Sequence, residues 1–498
     1  VTTQGIVTKV RRLGYNSKMS EIREQLRQLN KEQLIDIIIE MREQIEELKA
    51  VVQSQSERIQ TLEDQLAKNS RNSSKPPSSD GLKKQPKSLR EKGKRKSGGQ
   101  KGHEGKTLEM VASPDYQVVH ELVCCPHCDR DLRDVVVSHV ERRQVFDVPP
   151  IAFEVTEHQA QIKWCPHCQA QVKATFPEGV DRAVQYGNRV KAQAVYLNTY
   201  QLLPLARICE LFGDWYGHRP SEAWVLKAME EIHGQLNMPL TAIHSQLKHQ
   251  AVIHNDETGC RVANKLNWLH VAATPHLTFY GIHVKRGQEA MREMGILSEL
   301  SGCSIHDSFV SYFQFDNCTH ALCNAHHLRD LYFISEQYQQ QWAGQLAQLL
   351  LDAKQEVADS PPDCWCLPDH RLRDYEQRYD KLIQQGFDIN PPLNLPPTGK
   401  QGRKRKTPPQ NLLERLQTFK AQTLAFLHDF RIPFDNNLAE RDLRMMKVKQ
   451  KISGTFRTWY GAQVFCDIRS YISTGRKQTQ PVLQILYDAL LGQPFIPT

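Results

Sequence analysis

Two aspartates next to strand-like segments are the residues whose types and positions first indicate chemistry. Asp256 is expected at the exit of a strand beginning AVIHN, and Asp307 at the exit of the strand GCSIH. If these strands are neighbours in one sheet, the two carboxylates meet at a common edge. Carboxylates held together in a partly dry site repel each other unless a divalent cation lies between them. The pattern therefore predicts a metal-assisted phosphoryl or nucleotidyl transfer site.

The segments that must position these acids have the composition of strands. The runs AVIHNDETGCRV, LNWLHVAATP and HLTFYGIHV are rich in β-branched and aromatic residues and are bounded by turn formers. An amphipathic helix from Gln288 to Leu300 follows, and then a short strand from Cys303 to His306. This order favours a ribonuclease-H-like α/β catalytic core in which a later helix supplies a third carboxylate.

A repeated CPHC motif is the strongest local pattern in the chain. Four thiolates, two from each motif, complete a tetrahedral site, which predicts a structural Zn²⁺ held by Cys125, Cys128, Cys165 and Cys168. Strand-like runs at 135–148 and 153–164 predict a hairpin between the motifs, and so a zinc-binding β-rich domain over residues 115–180. Thirteen cysteines in a chain of this length indicate metal thiolates in a reducing compartment.

An apolar heptad pattern marks the N-terminal region. Apolar residues alternate at spacings of four and three from Leu34 to Leu66, which predicts a coiled coil over residues 20–68 and self-association. The alternative is a single amphipathic helix packed on the body of the protein. Residues 1–19 are expected to form a disordered extension.

Basic residues are concentrated in two stretches, although the net charge is only +8. From Lys68 to Lys106 there are 13 Lys or Arg residues against 3 acidic ones, and residues 69–114 are expected to be a disordered linker. Basic runs are often only solvated tails, but two of them favour a polyanionic partner. The candidate DNA-binding residues in these runs are Lys94, Arg95, Lys96, Arg403, Lys404 and Arg405.

The rest of the chain divides into helical segments around the core. Residues 181–250 are expected to be helical, and helices at 205–212 and 221–232 with a Gly-containing turn resemble a helix-turn-helix. A helical linker domain is an equally good interpretation. The catalytic core is expected at 251–335 and 431–498, with a helical insertion at 336–430. The sequence contains no run of 18 apolar residues, which a membrane-spanning helix would require. No signal peptide is evident.

Several motifs together resemble one known family. These motifs are DET at Asp256, the acid–aromatic pattern at Asp307, CNAHHLRDL, FDNNLAERDLR, NSRNSSKPPSSDG, GGQKGHEG and the doubled CPHC. In this order they resemble the insertion-sequence DDE transposases of family sixty-six (the TnpC type). Gly259 in place of the usual Pro, Ser308–Phe309 in place of Gly-Tyr, and a different sequence around Cys323 indicate a divergent branch.

The resemblance implies a DNA transposase with Asp256, Asp307 and Glu440 as its catalytic acids. The three carboxylates would hold two Mg²⁺ (or Mn²⁺) ions, cleave the element ends by hydrolysis and join the 3′-hydroxyl to target DNA. Residues after Glu440 are the candidate contacts to DNA: Arg441, Arg444, Lys447 and Lys449. Expected partners are DNA, a second copy or higher oligomer through the coiled coil, and small accessory transposition proteins. The expected location is the bacterial cytoplasm, with the nucleoid and away from membranes.

Alternatives remain at the level of function and of individual residues. The chain could instead be a non-catalytic, zinc-containing, coiled-coil DNA-binding regulator, or a ribonuclease-H-like nuclease acting on RNA or junctions. Asp307 could be a helix cap, and Glu440 an exposed partner of Arg444. Rival carboxylates are Glu257, Asp316 and Asp435. A second zinc cluster, for which buried Cys and helix-start His residues are the simpler interpretation, would comprise Cys318, His320, Cys323, His326 and His327.

Overall fold

The computed structural model describes residues 24, 27, 29–69, 72–73, 108–391 and 406–498. These residues form two compact units, one of residues up to 73 with 328–347 and the other of 108–327 with 348–498. The expected N-terminal extension, most of the basic linker and the candidate contacts Lys94, Arg95, Lys96, Arg403, Lys404 and Arg405 lie outside the described residues. None of the described helices is long and apolar enough to cross a membrane.

Helix α1 (Lys31–Ala67) spans most of the heptad pattern. Asn30 and Gln33 form a capping box, which satisfies the first free backbone N–H groups. In its own unit, Asp64 accepts a hydrogen bond from the Tyr338 hydroxyl at 2.6 Å. The apolar seam itself is exposed: 64% of Ile38 and 63% of Leu48 is accessible. The apolar stripe of this helix is therefore accessible along most of its length.

The segment with the two CPHC motifs has little regular structure. Its described strands are β1 (Ile162–Cys165) and β2 (Ala170–Lys173), which form a hairpin around the second motif. The expected hairpin between the motifs, from the runs 135–148 and 153–164, is not formed, so the description as β-rich was wrong. The physical reason is that no layer covers most of these runs, since Val136, Val145 and Val155 are 90%, 92% and 87% exposed.

The predicted helix pair is present with nearly the expected bounds. Helix α2 (Asn188–Val195) precedes α3 (Leu205–Tyr216), which ends at Gly217 with φ 70°, a left-handed conformation that suits glycine. Ser221 then caps α4 (Glu222–His233) by accepting the Trp224 N–H. The exposed face of α4 carries Glu222, Leu226, Lys227 and Glu230. This acidic face does not favour a helix that reads the DNA major groove.

Five strands form one mixed sheet in the order β5-β4-β3-β6-β7. They are β3 (Val252–Val262), β4 (Lys265–Ala273), β5 (Thr278–His283), β6 (Cys303–His306) and β7 (Thr319–Leu322). The first three pair as antiparallel neighbours, whereas β6 is parallel to β3 and β7 is parallel to β6. The strands expected from the sequence are therefore present, and the strand that contains Asp256 is adjacent to the strand that Asp307 follows.

Helices cover both faces of this sheet. On one face, α13 (Asn437–Ser453) and α14 (Trp459–Lys477) bury Leu443 and Phe465 against Val271 and Tyr280. On the other face, α5 (Asn237–Lys248) and α6 (Gln288–Met294) pack on Ile253 and Ala272. Helix α6 is shorter than expected because Gly295, with φ 69°, ends it, and a 3₁₀ turn at Leu297–Glu299 follows. Helix α15 (Val482–Leu490) packs with α14 and α2.

Between β7 and α13 the described residues form helices and no strand. These helices are α7 (Asn324–Gln337), α8 (Gln341–Asp359), α9 (Asp369–Ile389), α10 (Pro408–Thr418), α11 (Lys420–Thr423) and α12 (Ala425–His428). The backbone N–H of Asn324 donates to the carbonyl of Phe434 at 3.1 Å, so the chain leaves and re-enters the core at neighbouring points. Because its two ends are adjacent, this long helical segment does not interrupt the sheet.

Candidate active site

The three predicted acids lie on three elements of the sheet unit. Asp307 directly follows β6, and Glu440 lies in the first turn of α13. Asp256 lies within β3 and not at its exit, because the antiparallel ladder to β4 continues as far as Val262. The parallel ladder between β3 and β6, however, stops at His254. Asp256 therefore projects just beyond the point where the two strands part.

His326 connects two of these acids. Its Nδ1 lies 3.1 Å from Oδ1 of Asp307, and its Nε2 lies 3.9 Å from Oε1 of Glu440. The Glu440 side chain is 17% exposed and faces this imidazole, which disfavours an exposed pair with Arg444. The sequence grouped His326 with a possible zinc cluster. The order of segments could have indicated that His326 lies near Asp307. Helix α7 begins two residues after β7, and β7 is the neighbour of β6 in the sheet.

The pKa of Asp256 is affected by the charges of the neighbouring acids. Burial raises the pKa of Asp256 well above its usual value, and the negative charges of Asp307, Glu257 and Glu440 raise it further. The N–H of Glu257, which donates to Oδ1 of Asp256 at 2.8 Å, opposes this rise only in part. A cluster of acids that disfavours its own ionisation is a site where a cation is stabilising.

Glu257, the rival carboxylate beside Asp256, is compensated by its own partners. Its Oε2 accepts the Tyr312 hydroxyl at 2.5 Å, and its Oε1 accepts Nε of Arg286 at 2.8 Å. The guanidinium of Arg286 also lies 4.3 Å from the Phe309 ring centre and 5.0 Å from that of Trp268. Because these partners satisfy Glu257, Asp256 is the better candidate for holding a metal ion.

The donor atoms around Asp307 decide which ions fit. Asp307, Cys323 and His326 each offer one ligand atom, and these atoms lie within 4.8 Å of one another. However, burial raises the pKa of the Cys323 thiol to about 12, and its Sγ already accepts the N–H of Asn436 at 3.1 Å. A protonated thiol is a poor ligand. The remaining carboxylate oxygens suit a hard cation such as Mg²⁺ or Mn²⁺.

The other members of the possible second zinc cluster lie elsewhere. Nδ1 of His320 is 3.0 Å from Nε2 of His306, and its Nε2 is 3.9 Å from Sγ of the buried Cys318. His327 is buried, with Nδ1 3.2 Å from Oδ1 of Asn324. These residues therefore divide between core contacts and the carboxylate site, in agreement with the simpler interpretation.

Helix α13 presents a basic surface beyond Glu440. Arg441, Arg444 and Lys447 are exposed. Lys449 differs, since its ammonium lies 4.3 Å from the Phe456 ring centre and 5.3 Å from that of Phe465. Burial lowers the pKa of this amine to about 8. Because its ammonium lies against these buried rings, we remove Lys449 from the candidate DNA contacts.

The two CPHC motifs have the same local conformation. Asp129 and Gln169, which follow each motif, both adopt the left-handed region with φ 54° and 51°. Backbone N–H groups of His127 and Cys128 lower the pKa of Cys125, and those of Cys168 and His167 lower the pKa of Cys165. A lowered thiol pKa favours the thiolate that zinc requires. The two cysteine side chains of each motif contact one another as free thiols. No three of the four thiols, however, lie within 4.8 Å of one another.

Comparisons with known proteins agree with these features. Residues 183–464, more than half of the chain, match the transposase IS66 family. Residues 123–169 match the zinc-finger binding domain of transposase IS66, which supports zinc binding by the CPHC motifs, and residues 31–109 match a family of unknown function, DUF6444. No curated protein matches the chain. The chain belongs to the IS66 transposase family.

Proposed function

We propose that this chain cleaves the ends of an insertion sequence and joins the freed 3′-hydroxyl to target DNA. The observation that carries the proposal is the clustering of Asp256, Asp307 and Glu440, in which charge on the other acids raises the pKa of Asp256. In the sequence, Glu440 is separated from Asp307 by β7 and helices α7–α12. Acids gathered from separate elements, one of them with a raised pKa, are typical of a metal-dependent phosphoryl transfer site.

The strand order supports a ribonuclease-H-like core. Three antiparallel strands occupy one half of the sheet, two parallel strands occupy the other, and β3 lies at the centre. Asp256 on this central strand and Asp307 after its parallel neighbour then come from adjacent strands. Helix α13 packs on the same sheet and supplies Glu440. These placements support a ribonuclease-H-like core with Glu440 as its third carboxylate.

The protein groups have distinct roles in the proposed reaction. Asp256, Asp307 and Glu440 would hold two Mg²⁺ or Mn²⁺ ions, which when bound activate the attacking oxygen and stabilise the leaving 3′-oxygen. Water attack at phosphorus breaks the P–O3′ bond and leaves a 3′-hydroxyl, which then attacks a phosphorus atom of the target. The attacking oxygens come from water and DNA, so no protein nucleophile is needed. Exposed Arg441 and Arg444 would bind the phosphates near the cleaved bond.

Cleavage of DNA that carries the element's own ends tests this proposal. We expect the full-length protein to nick the terminus only with Mg²⁺ or Mn²⁺, and the Asp256→Asn variant to bind the same DNA without nicking it. A protein that binds the ends but never cleaves them, with accessory transposition proteins supplied, would instead be the DNA-binding regulator. Cleavage of RNA in preference to these ends would favour the nuclease.

We further propose that α1 joins two copies through its exposed seam. Ile38 lies on the heptad seam and is 64% exposed, whereas its neighbour Ile39 lies off the seam and is 51% exposed. Burying an isoleucine is worth about 1.5–3 kcal/mol, and each dimer buries two copies of Ile38. Ile38→Glu is therefore expected to weaken dimerisation at least about 100-fold by sedimentation equilibrium.

Ile39→Glu is the matched control, because it adds the same charge one residue away from the seam. It should leave the dimer nearly unchanged. Equal weakening by both variants, or none by either, would contradict association through this seam.

A further inference from the structure

A buried carboxamide joins the helix that carries Glu440 to the strand that carries Asp256. Asn436, directly before α13, is fully buried. Its Nδ2 donates to the carbonyl of Asn255 at 2.8 Å, and its Oδ1 lies 2.8 Å from Nδ1 of His254. A carboxamide oxygen only accepts, so this imidazole nitrogen carries the proton. Both contacts are therefore made to β3, immediately before Asp256.

The backbone of Asn436 extends this joint to the other two acids. Its N–H donates to Sγ of Cys323 at 3.1 Å, and the N–H of Cys323 donates to the carbonyl of His306 at 3.1 Å. His306 is the residue before Asp307. The carbonyl of Asn436 in turn accepts the N–H of Glu440 at 3.2 Å. One residue is thus linked, directly or through Cys323, to the backbone next to all three acids.

Such a joint is needed because the three acids lie on separate elements of the fold: Asp256 in β3, Asp307 after β6 and Glu440 in α13. Asn255 and Asn436 are 181 residues apart in sequence, so no local chain constraint fixes α13 against β3. A hydrogen bond inside the protein is strengthened by its low-dielectric surroundings, and a partner left unsatisfied there is costly.

We propose that Asn436 is a positioning residue that holds Glu440 close enough to Asp256 for the acids to bind a divalent cation together. This inference rests on the proposed function, because it assigns Asn436 a part in the same metal site. Asn436 touches neither the ion nor DNA in this role. Its contribution is the affinity of the site for Mg²⁺ or Mn²⁺, which depends on how well outer-shell partners fix the ligands.

The chain contains a closely matched control. Asn324 is also buried, its Oδ1 lies 3.2 Å from Nδ1 of His327, and its Nδ2 donates to the carbonyl of Thr423 at 2.9 Å. Both asparagines therefore pair with a buried imidazole and a backbone carbonyl. The side chain of Asn324, however, bonds to neither β3 nor α13. A merely structural role predicts similar consequences for the two residues.

The experiment is a MnCl₂ titration of the full-length, zinc-loaded protein, followed by isothermal calorimetry and by the spectroscopic signal of free Mn²⁺. Binding that disappears in Asp256→Asn defines the site. We expect Asn436→Leu to weaken this binding about 10–100-fold and Asn324→Leu to change it less than about twofold. Both variants should lower the melting temperature, since each leaves buried polar groups unsatisfied.

The outcomes separate the two proposals. If the parent protein shows no Asp256-dependent Mn²⁺ binding, the proposed metal site fails and this inference fails with it. If the parent binds Mn²⁺ and Asn436→Leu binds it equally well, Asn436 is only structural and this inference alone is overturned. Should Asn436→Leu not fold, Asn436→Asp keeps the size and the acceptor toward His254 but loses the amide donor, and the same two criteria apply.

Discussion

The Asp256→Asn variant is expected to lose at least about a thousandfold in strand cleavage while still binding DNA. Metal-stabilised charge contributes several kcal/mol to such transition states, and about 4 kcal/mol corresponds to a factor of a thousand in rate. Asparagine keeps the size of the side chain but removes the charge that would hold a cation. The measurement is single-turnover nicking of end-bearing DNA, with a parallel binding assay.

The same variant is expected to be more stable than the parent at neutral pH without divalent cations. The pKa of Asp256 is raised in the folded state by burial and by Asp307, so ionisation of this group destabilises the fold. That penalty is absent below the unfolded pKa of about 3.9 and is complete above the raised folded pKa. The difference in melting temperature should therefore shrink as the pH falls toward 4. Mg²⁺ should stabilise the parent and not the variant.

Asp435→Asn is the control for the predicted loss of cleavage. Asp435 is another carboxylate beside α13, and its Oδ1 accepts the N–H of Asn437 at 3.2 Å, which an asparagine can also do. We expect cleavage close to that of the parent. Normal cleavage by Asp256→Asn, or a comparable loss in Asp435→Asn, would contradict the assignment of Asp256.

Removal of zinc is expected to unfold the segment that contains the CPHC motifs and to leave the sheet unit folded. Structural zinc is worth about 10–16 kcal/mol in small domains, and apart from the β1–β2 hairpin and the packing of Phe153 on Tyr216 little else organises this segment. Its β-branched residues such as Val136 and Val145 are exposed, so hydrophobic burial contributes little. After chelation, limited proteolysis should cut within residues 108–180, while the fragment beginning near α2 remains intact.

Cysteine variants give a sharp control for the zinc prediction. Cys125→Ser should lower the zinc content measured by elemental analysis and reproduce the proteolysis of the chelated protein. Cys124→Ser, a change at the exposed neighbouring cysteine, should do neither. An unchanged proteolysis pattern after complete removal of zinc would show that the metal does not hold this segment together.

The sequence predicted the sheet well because its signals there are local. Runs of β-branched and aromatic residues between turn formers gave β3, β4 and β5, and the short strand from Cys303 to His306 was predicted with its observed bounds. The same kind of signal failed between the CPHC motifs. Alternating apolar residues form a stable strand only when another layer covers them. The pattern in a single sequence does not reveal whether that layer exists.

The arrangement around the acids was predicted less completely. The three carboxylates were candidates before the structure was known, but His326 and Asn436 were not placed beside them. Their roles depend on contacts such as that between Asn436 and Asn255, which are 181 residues apart. Periodicity and motif spacing carry no information about such pairs. Lys449 was misassigned for a related reason, since its helix position alone did not reveal the aromatic rings of Phe456 and Phe465.

The separation between Asn255 and Asn436 also sets a schedule during protein synthesis. At ribosomal rates of about 5–20 residues per second, roughly 10–40 s pass between the emergence of these two partners. Helix α1 and the zinc motifs leave the ribosome well before α13. Under the proposed function, a nascent chain would therefore be able to find a second copy and load its zinc before it has the segment that carries Glu440. Prematurely terminated products that end before α13 would then compete for the proposed assembly while lacking one of the three proposed catalytic acids.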